Sequence, residues 1–225
     1  MRQRGITKSG IILIAIIIIL CWYNITSVDM GADKKAHTEI VDSLENLPEP
    51  MQIGTNGVRN VIINGVETHI TYVAQYTISG RVVTTRSYGY RPWSPVNSVL
   101  PRDVGMVWGM LSNKEVDSKI SWYTTPRHLW FSGKNSWANS IGGRNAIYYH
   151  SSNNHLIPSD ENVNKLIKRI KKGDYVKIEG YLVMVKIRHW PGFFMMDTST
   201  SRTDTGNGAC ETIYVTNVTW LKQRQ

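Results

Sequence analysis

Apolar and polar residues alternate along several stretches of this chain, which predicts a protein built mainly from β-strands. The clearest stretch follows Asn64-Gly65, where large side chains at every second position from Ile70 to Ile78 alternate with polar ones. A period of two residues is typical of a half-buried strand, and Asn-Gly is a favoured turn between two hairpin strands. The pattern therefore predicts a β-hairpin near the start of the folded part.

The next segment predicts further strands with long loops between them. Gly80 is expected to turn the chain into a second strand, RVVTTRSYGY. The stretch that follows is irregular, and it contains four of the eight tryptophans of the chain within residues 101–150. Short strands are expected there near residues 104–109, 120–124, 128–132 and 145–149.

One amphipathic helix is predicted after this irregular region. Ser159 can cap its N-terminus, and Gly173 can end it after a basic last turn. Its apolar residues recur at helical spacing and form one stripe, made of Val163, Leu166, Ile167 and Ile170. Strand patterns then resume in GDYVKIEGYLVMVKI, where Gly180 interrupts the strand as at a bend in a barrel.

The order of these elements predicts a mainly β fold of a known kind. Two long strands, an irregular strand, one helix and then further strands match a small five-stranded, Greek-key barrel of the oligonucleotide/oligosaccharide-binding (OB) type, with the helix before the fourth strand and elaborated loops. A different small β-barrel or a sandwich gives a similar order and stays open as an alternative.

The N-terminus has the pattern of a membrane signal anchor. Arg2, Arg4 and Lys8 precede the uncharged run IILIAIIIILCWY. With its polar flanks the run reaches about the 20 residues that a bilayer-spanning helix needs. Basic residues before the run predict that the N-terminus stays in the cytoplasm and that the body is exported. A cleaved signal peptide or a lipoprotein signal are the alternatives.

These features divide the chain into four predicted parts. Residues 1–10 form a basic cytoplasmic leader, 11–28 a transmembrane anchor, 29–57 a stalk and 58–225 the OB-like domain. The stalk contains scattered acids and two prolines but few large apolar residues, and a short helix over KAHTEIVDSLENL is expected in it. The protein is therefore predicted to be a single-pass protein of the cytoplasmic (inner) membrane with a periplasmic domain.

The blocks NGVETHITYVAQYTISGRVV, GMVWGM, SSNNHLIPSDENVNKLIKRIKKGDYVKIEGYLV and TSTSRTDTGNGACETIYV resemble an uncharacterised family of bacterial membrane-anchored proteins with one extracytoplasmic OB-like domain. The resemblance spans roughly residues 60–220, and its last two blocks are the most specific. It implies the architecture and the compartment. It carries over no catalytic residues.

A polar loop near the C-terminus contains the first candidate site residues. The triplet Asp204-Thr205-Gly206 matches the aspartic-protease motif, but polar residues precede it and too little chain follows it for a symmetric dimeric enzyme. A structured loop explains the triplet better, because Asp204 and Asn207 can form Asx-turns. Together with the run SSNNH, the loop supplies the candidate ligand- or partner-binding residues, which are Asn153, Asn154, His155, Arg202, Asp204, Asn207 and Glu211.

A cysteine hydrolase is the alternative chemistry. Cys210 could be a nucleophile and His155 its base, although no known signature surrounds the cysteine. The six histidines are scattered without the spacing of a zinc site, so no metal and no cofactor is expected.

The net charge of +9 is compatible with an anionic partner. A single-strand nucleic-acid binder would need a contiguous basic and aromatic face, and the predicted export argues against nucleic acid as the partner. The sequence therefore predicts a non-enzymatic binding module of the bacterial envelope, with an envelope protein or polymer as its partner. A hydrolase of an envelope substrate and a nucleic-acid binder are the alternatives.

Overall fold

A computed structural model describes residues 36–89, 94–189, 191–201 and 210–225. The predicted leader and anchor, residues 1–28, lie outside the described part of the chain. Within the described part, no helix has both the length and the apolar character needed to cross a membrane.

The described residues contain eleven strands, five short α-helices and one 3₁₀ turn. The strands are β1 His37–Val41, β2 Met51–Gly54, β3 Val58–Ile63, β4 Val66–Ser87, β5 Arg102–Val107, β6 Ile120–Thr125, β7 His128–Gly133, β8 Ser151–Pro158, β9 Tyr175–His189, β10 Gly192–Met196 and β11 Cys210–Gln223. The helices are α1 Pro95–Val99, α2 Lys114–Asp117, α3 Asn135–Ser140, α4 Arg144–Tyr149 and α5 Glu161–Arg169, and the 3₁₀ turn is Met110–Ser112.

Five of these strands pair in a closed cycle. β4 pairs with β5, β5 with β8, β8 with β11, β11 with β9, and β9 again with β4. All of these pairs are antiparallel except β8 with β11. β1, β2, β3 and β10 extend the same sheet outside the cycle, while β6 and β7 form a separate hairpin. The prediction of a mainly β fold is confirmed, with a sheet that is partly closed into a ring.

One apolar core joins all five strands of this ring to helix α5. The predicted helical stripe is confirmed, because Val163, Leu166, Ile167 and Ile170 are all buried in this core. The N-cap differs from the prediction by one residue. Asp160, not Ser159, accepts a hydrogen bond from the Val163 N–H at 2.8 Å, and a carboxylate at this position also complements the helix dipole.

The predicted hairpin is confirmed at Asn64-Gly65. Both residues have positive φ, 48° and 78°, as a two-residue turn that fits the strand twist requires. The turn joins β3 to β4, and buried residues of β4 recur at every second position from Ala74 to Val82, after a register shift between Tyr72 and Ala74.

Gly80 does not turn the chain, because β4 runs through it as one strand. A Cβ at this position would lie 2.6 Å from the carbonyl oxygen of Val107. The glycine therefore permits a close approach of β4 and β5, which is the other common reason for a glycine inside a strand. Gly180 has a similar role in β9, where a Cβ would collide with the carbonyl oxygen of Tyr214 in β11. The predicted interruption of that strand is wrong, because β9 runs through Gly180 as one strand and the register shift lies opposite it, in β11 between Val215 and Asn217.

The helix predicted inside the stalk is wrong. Residues 37–41 form β1, which pairs in parallel with β11, and Leu47 is buried against Tyr175 and Leu221. The β-branched side chains of β1 favour an extended backbone at the edge of an existing strand. The described part of the predicted stalk, residues 36–57, therefore packs on the sheet.

Two predictions in the irregular region are also wrong. Residues 144–149 form helix α4 instead of a strand, because Gly142 and Gly143 adopt positive φ and start a helical turn that buries Ile147. The polar run SSNNHLIP, for which no strand was expected, forms β8, and all eight of its residues are buried. The large majority of buried polar groups in proteins form hydrogen bonds inside the protein.

Candidate functional site

Strands β5, β8 and β11 bring buried polar residues into two neighbouring rows across the ring. In the first row Asp103 lies opposite His155, and His155 lies opposite Thr212. Two residues further along each strand, Asn153 takes the place of His155 and pairs with Gly105 and Cys210. Because side chains two residues apart point to the same face of a strand, both rows face the same side of the sheet.

Asp103 is the centre of the first row, and three side chains bind its carboxylate. Oδ1 accepts hydrogen bonds from His155 Nδ1 at 2.9 Å and from the Arg127 guanidinium at 2.8 Å, and Oδ2 accepts one from the Tyr88 hydroxyl at 2.7 Å. Burial favours the neutral acid, but His155, Arg127 and Tyr88 together outweigh it, so the pKa of Asp103 lies below its ordinary value. This row is saturated with hydrogen bonds.

Arg127 also forms hydrogen bonds that connect this row to the surrounding loops. Its guanidinium also donates to the carbonyl oxygen of Leu100 at 2.9 Å and lies 3.8 Å from the centre of the Tyr88 ring. Its backbone N–H donates to the Tyr88 hydroxyl at 2.8 Å. Burial, followed by the hydrogen bond to Asp103, raises the pKa of Tyr88 to about 12, so this hydroxyl stays a donor at physiological pH.

Asn154 and Glu211 lie on the opposite face of the same strands and are also buried. The amide nitrogen of Asn154 donates to the carbonyl oxygen of Val104 at 2.9 Å, and its oxygen accepts from the Ser152 hydroxyl at 3.2 Å. Glu211 accepts a hydrogen bond from Thr198 at 2.9 Å. The hydrogen bonds of these two residues therefore stabilise the inner side of the strands. The other candidates of the polar loop, Arg202, Asp204 and Asn207, lie outside the described residues.

The second row opens into a cleft between the ring and the β6–β7 hairpin. The hairpin can approach β5 closely because Gly105 has no side chain, and a Cβ there would lie 2.9 Å from Leu129. The volume of the cleft is about 60 Å³. It is lined by Trp122, His128, Leu129, Trp130, Phe131, Tyr148, Ser151, Ser152, Asn153 and Cys210.

Aromatic rings form the walls of this cleft. Phe131 contacts Tyr148 edge to face at 4.8 Å between ring centroids and packs against Trp122 at 5.6 Å. His128 and Trp130 stack at 6.0 Å, and Trp130 is 45% exposed. The cleft therefore combines apolar walls with one partly exposed ring beside its mouth.

Asn153 lies at the polar side of the cleft and is only 2% exposed. By strict hydrogen-bond geometry neither the nitrogen nor the oxygen of its side-chain amide has a partner in the described structure, although the amide lies close enough to the Cys210 thiol to lower the pKa of that thiol by hydrogen bonding. Thr84 Oγ1 is also buried without a partner in the described structure, but Thr84 does not line the cleft. An unpaired buried polar group costs about 1–3 kcal/mol, so this amide is placed to bind something that enters the cleft.

Cys210 does not have the environment of a nucleophile. Its thiol donates to the carbonyl oxygen of Arg127 at 3.6 Å. Burial, together with the negative charge of Asp103, raises the pKa of Cys210 to about 11, although a hydrogen bond between the thiol and the side chain of Asn153 opposes this shift. Nucleophilic cysteines need the opposite change, toward the thiolate. In the described structure His155 Nδ1 binds Asp103, and no hydrogen bond joins His155 to Cys210.

The structure thus assigns different roles to the residues singled out by the sequence. It brings Asn153, His155 and Cys210 to one face of the sheet, and it places Asn154 and Glu211 on the other. Sequence reasoning missed Asp103 and Tyr88, and it did not predict that the aromatic residues enclose a cleft. The cluster of tryptophans in residues 101–150 was the available signal for the walls. The described part of the chain contains no group of three or more His, Cys, Asp or Glu that could hold a metal ion.

Comparisons with known proteins add no family to this picture. No protein-family model matches the sequence, and neither the curated proteins nor the solved structures that were searched give a significant match. The candidate function therefore rests on the geometry of the cleft.

Proposed function

We propose that the protein is a non-enzymatic binding module, with an OB-like barrel that binds its ligand in the cleft beside Asn153. The amide of Asn153 carries this proposal. A buried donor and acceptor without partners, in a small cleft with aromatic walls, is the arrangement expected of a ligand pocket. A ligand group that enters the cleft beside Asn153 can bind both atoms of the amide.

The OB-like barrel is supported by the pairing of the five ring strands. In chain order these strands are β4, β5, β8, β9 and β11, and helix α5 lies between the third and the fourth. In an OB fold the face formed by the second and third strands, with loops near it, binds the ligand. β5 and β8 are the second and third ring strands here, and Gly105 and Asn153 lie on them.

The cellular setting of this module is proposed from the sequence. The basic leader and the apolar run of residues 11–28 support a single-pass anchor in the cytoplasmic membrane with the barrel on the periplasmic side. An envelope protein or polymer is then the class of partner within reach. The raised pKa of Cys210 leaves the alternative of a cysteine hydrolase without support.

The proposal is tested with small neutral probes on the full-length chain in detergent micelles. Saturation-transfer NMR with cytidine, N-acetylglucosamine and N-acetyl-tyrosinamide should detect binding of at least one probe. Asn153→Leu should abolish that signal, because leucine fills the same space without a donor or acceptor. Asn164→Leu is the matched control, since Asn164 is also buried but lies on helix α5 away from the cleft.

Two results would overturn the proposal. The first is that no probe gives a signal that depends on Asn153. The second is that Cys210 labels rapidly with iodoacetamide at pH 7, because this would require a pKa well below about 8.5, the value of a free thiol.

A further inference from the structure

A second and larger groove opens beside strands β3, β4, β9 and β11. It shares no lining residue with the cleft at Asn153, and its volume is about 530 Å³. Every residue that lines it has a polar side chain. Pockets that bind small ligands commonly have volumes of about 300–1,000 Å³, so this groove has the size of a binding site and the lining expected for a polar ligand.

Arg59 lies in this groove without a carboxylate beside it. Its guanidinium donates a hydrogen bond to the Tyr214 hydroxyl at 3.2 Å, and hydrogen bonding to the neighbouring Tyr72 raises the pKa of Arg59. Within the described ranges, no Asp or Glu lies within ion-pair distance of this guanidinium. Because neutral phenols hold Arg59 in place, its positive charge is available to an anion, and a guanidinium binds a carboxylate especially well.

The three tyrosines of the groove pack on one another. Tyr72 contacts Tyr181 edge to face at 4.9 Å between ring centroids and Tyr214 in the same way at 6.0 Å. All three rings also pack in the apolar cluster around Ile70 and Val183. These contacts cover ring faces that a stacked sugar or base needs, whereas hydroxyl groups of the rings bind Arg59. The groove therefore offers hydrogen-bonding groups to a ligand in place of a stacking platform.

The acid of the groove, Asp160, is already used by the helix that it caps. Its Oδ1 accepts a hydrogen bond from the Val163 N–H at 2.8 Å, and its Oδ2 accepts one from the Ser159 hydroxyl at 3.2 Å. Its charge still reaches the groove, because burial raises the pKa of Tyr214 and the negative charge of Asp160 adds to this shift. One guanidinium near one carboxylate favours a ligand with a single negative charge over a phosphate group, which carries nearly two.

The groove also contains two exposed side-chain amides, those of Asn56 and Gln75. Each amide can donate and accept a hydrogen bond, and the backbone of a peptide presents the same two groups at every residue. A peptide also ends in a carboxylate with a single charge. A peptide C-terminus therefore matches both the amides and the guanidinium, and capture of a C-terminal carboxylate is an established mode of peptide recognition.

We propose that this groove binds the C-terminus of a peptide or protein, with the carboxylate at Arg59 and the last backbone amides at Asn56 and Gln75. The hydroxyl of Tyr214 stays protonated and positions the guanidinium. The groove is a second binding site, separate from the cleft at Asn153, and this inference does not rest on the proposed function.

The test compares peptide acids with their amides on the full-length chain in detergent micelles. Four N-acetyl tripeptides that end in alanine, leucine, phenylalanine or lysine are titrated by saturation-transfer NMR, each as the free acid and as the C-terminal amide. At least one acid should bind, and its amide should bind roughly 10- to 150-fold more weakly, the range for the loss of a hydrogen bond to a charged group. If no acid binds more tightly than its amide, the inference is overturned.

Variants of Arg59 locate the carboxylate. Arg59→Gln should weaken binding of the acid to the level of the amide, and because Arg59 is exposed the fold should be preserved. Arg59→Lys should recover only part of the affinity, since lysine lacks the planar fork of the guanidinium. Arg188→Gln is the matched control, because Arg188 is also exposed and lies 5.4 Å from the centre of the Phe193 ring, outside the groove. Equal losses in Arg59→Gln and Arg188→Gln would overturn the inference.

Two further probes test other anions that an arginine could bind. Glucuronate carries its carboxylate on a sugar ring, and inorganic phosphate carries more charge. If either binds more tightly than every peptide acid in an Arg59-dependent way, the groove belongs to that ligand and the inference is overturned.

The remaining outcomes separate this inference from the proposed function. A peptide signal that Asn153→Leu removes and Arg59→Gln does not would place the peptide in the cleft, so the inference would fail while the proposed function stands. Acid-specific binding that depends on Arg59, with no probe that depends on Asn153, would support the inference while the proposed function fails.

Discussion

The two polar rows on β5, β8 and β11 are similarly buried, but they differ in how their side chains are hydrogen-bonded. Asp103 and His155 are 1% and 3% exposed, and the carboxylate of Asp103 binds three donors. Asn153, two residues along the same strand, is 2% exposed, and neither atom of its amide has a partner in the described structure. One row is closed by Arg127 and Tyr88, whereas the other faces the cleft.

The difference separates a structural cluster from a binding site. In a medium of low dielectric constant, a satisfied polar network holds its strands in one arrangement, while an unsatisfied group destabilises the fold until something binds it. A protein retains such a group where function requires it, at some cost in stability. Burial alone would have assigned the same role to both rows. Their hydrogen bonds distinguish them.

The largest expected effect comes from breaking the first row. Asp103→Asn removes the charge that Arg127 and His155 face, and Arg127 is itself largely buried. Removing one partner of a buried ion pair costs about 3–5 kcal/mol. The free energy of unfolding, measured by urea denaturation followed by circular dichroism, should fall by this amount.

An exposed aspartate provides the matched control. The side chains of Asp42 and its ion-pair partner Arg224 are 88% and 72% exposed, and such pairs contribute little to stability. Asp42→Asn should leave the urea midpoint unchanged. Equal losses in the two variants would mean that the Asp103 cluster does not stabilise the fold.

A smaller effect is expected from acid, through the same carboxylate. The pKa of Asp103 in the folded protein lies below its ordinary value of 3.8, because the hydrogen bonds and charges of His155, Arg127 and Tyr88 outweigh its burial. Folding therefore favours the ionised form, and the resulting stability is fully present above the unfolded pKa of about 3.9 and is lost as pH falls through the folded value.

The quantity to compare is the difference in unfolding free energy between wild type and Asp103→Asn. It should shrink below about pH 4, where the wild-type carboxyl begins to take up a proton. Urea midpoints at four pH values measure this. A difference that grew toward low pH would have the wrong sign for a depressed pKa.

The sequence was sufficient to predict the elements that depend on residues close together in the chain. The Asn64-Gly65 turn and the stripe of helix α5 follow from backbone preference and periodicity within a few residues. Strand β8 could not be predicted this way, because SSNNHLIP is polar and its burial depends on partners distant in sequence, such as Asp103 and Val104. The strand at 37–41 likewise depends on pairing with β11, at the far end of the chain.

The candidate site was predicted only in part for the same reason. The sequence pointed to Asn153, Asn154 and His155 as one polar run, but strand alternation sends Asn154 to the opposite face. Their separate roles depend on what lies across the sheet, and no spacing within the run contains that information. The tryptophans of the hairpin were visible as a cluster, while the cleft that they enclose requires Gly105, 17 residues before Trp122 (122 − 105).

The smallest effect on stability is expected at Asn153, and it is the most direct test of the difference between the two polar rows. Asn153→Leu removes a donor and an acceptor that have no partner in the described structure and places an apolar side chain against Leu129 and the aromatic walls. Replacing polar atoms by apolar ones of similar shape is nearly neutral when no hydrogen bond is lost. The unfolding free energy should stay the same or rise by up to about 1 kcal/mol.

The neighbouring residue is its matched control. Asn154 is equally buried, but its amide binds Val104 and Ser152, so Asn154→Leu leaves those groups unpaired and should cost about 1–3 kcal/mol. Urea denaturation of the two variants side by side compares the two positions on one strand. If Asn153→Leu were as destabilising as Asn154→Leu, the amide of Asn153 would have a partner within the protein. The cleft would then lose the feature that identifies it as a binding site.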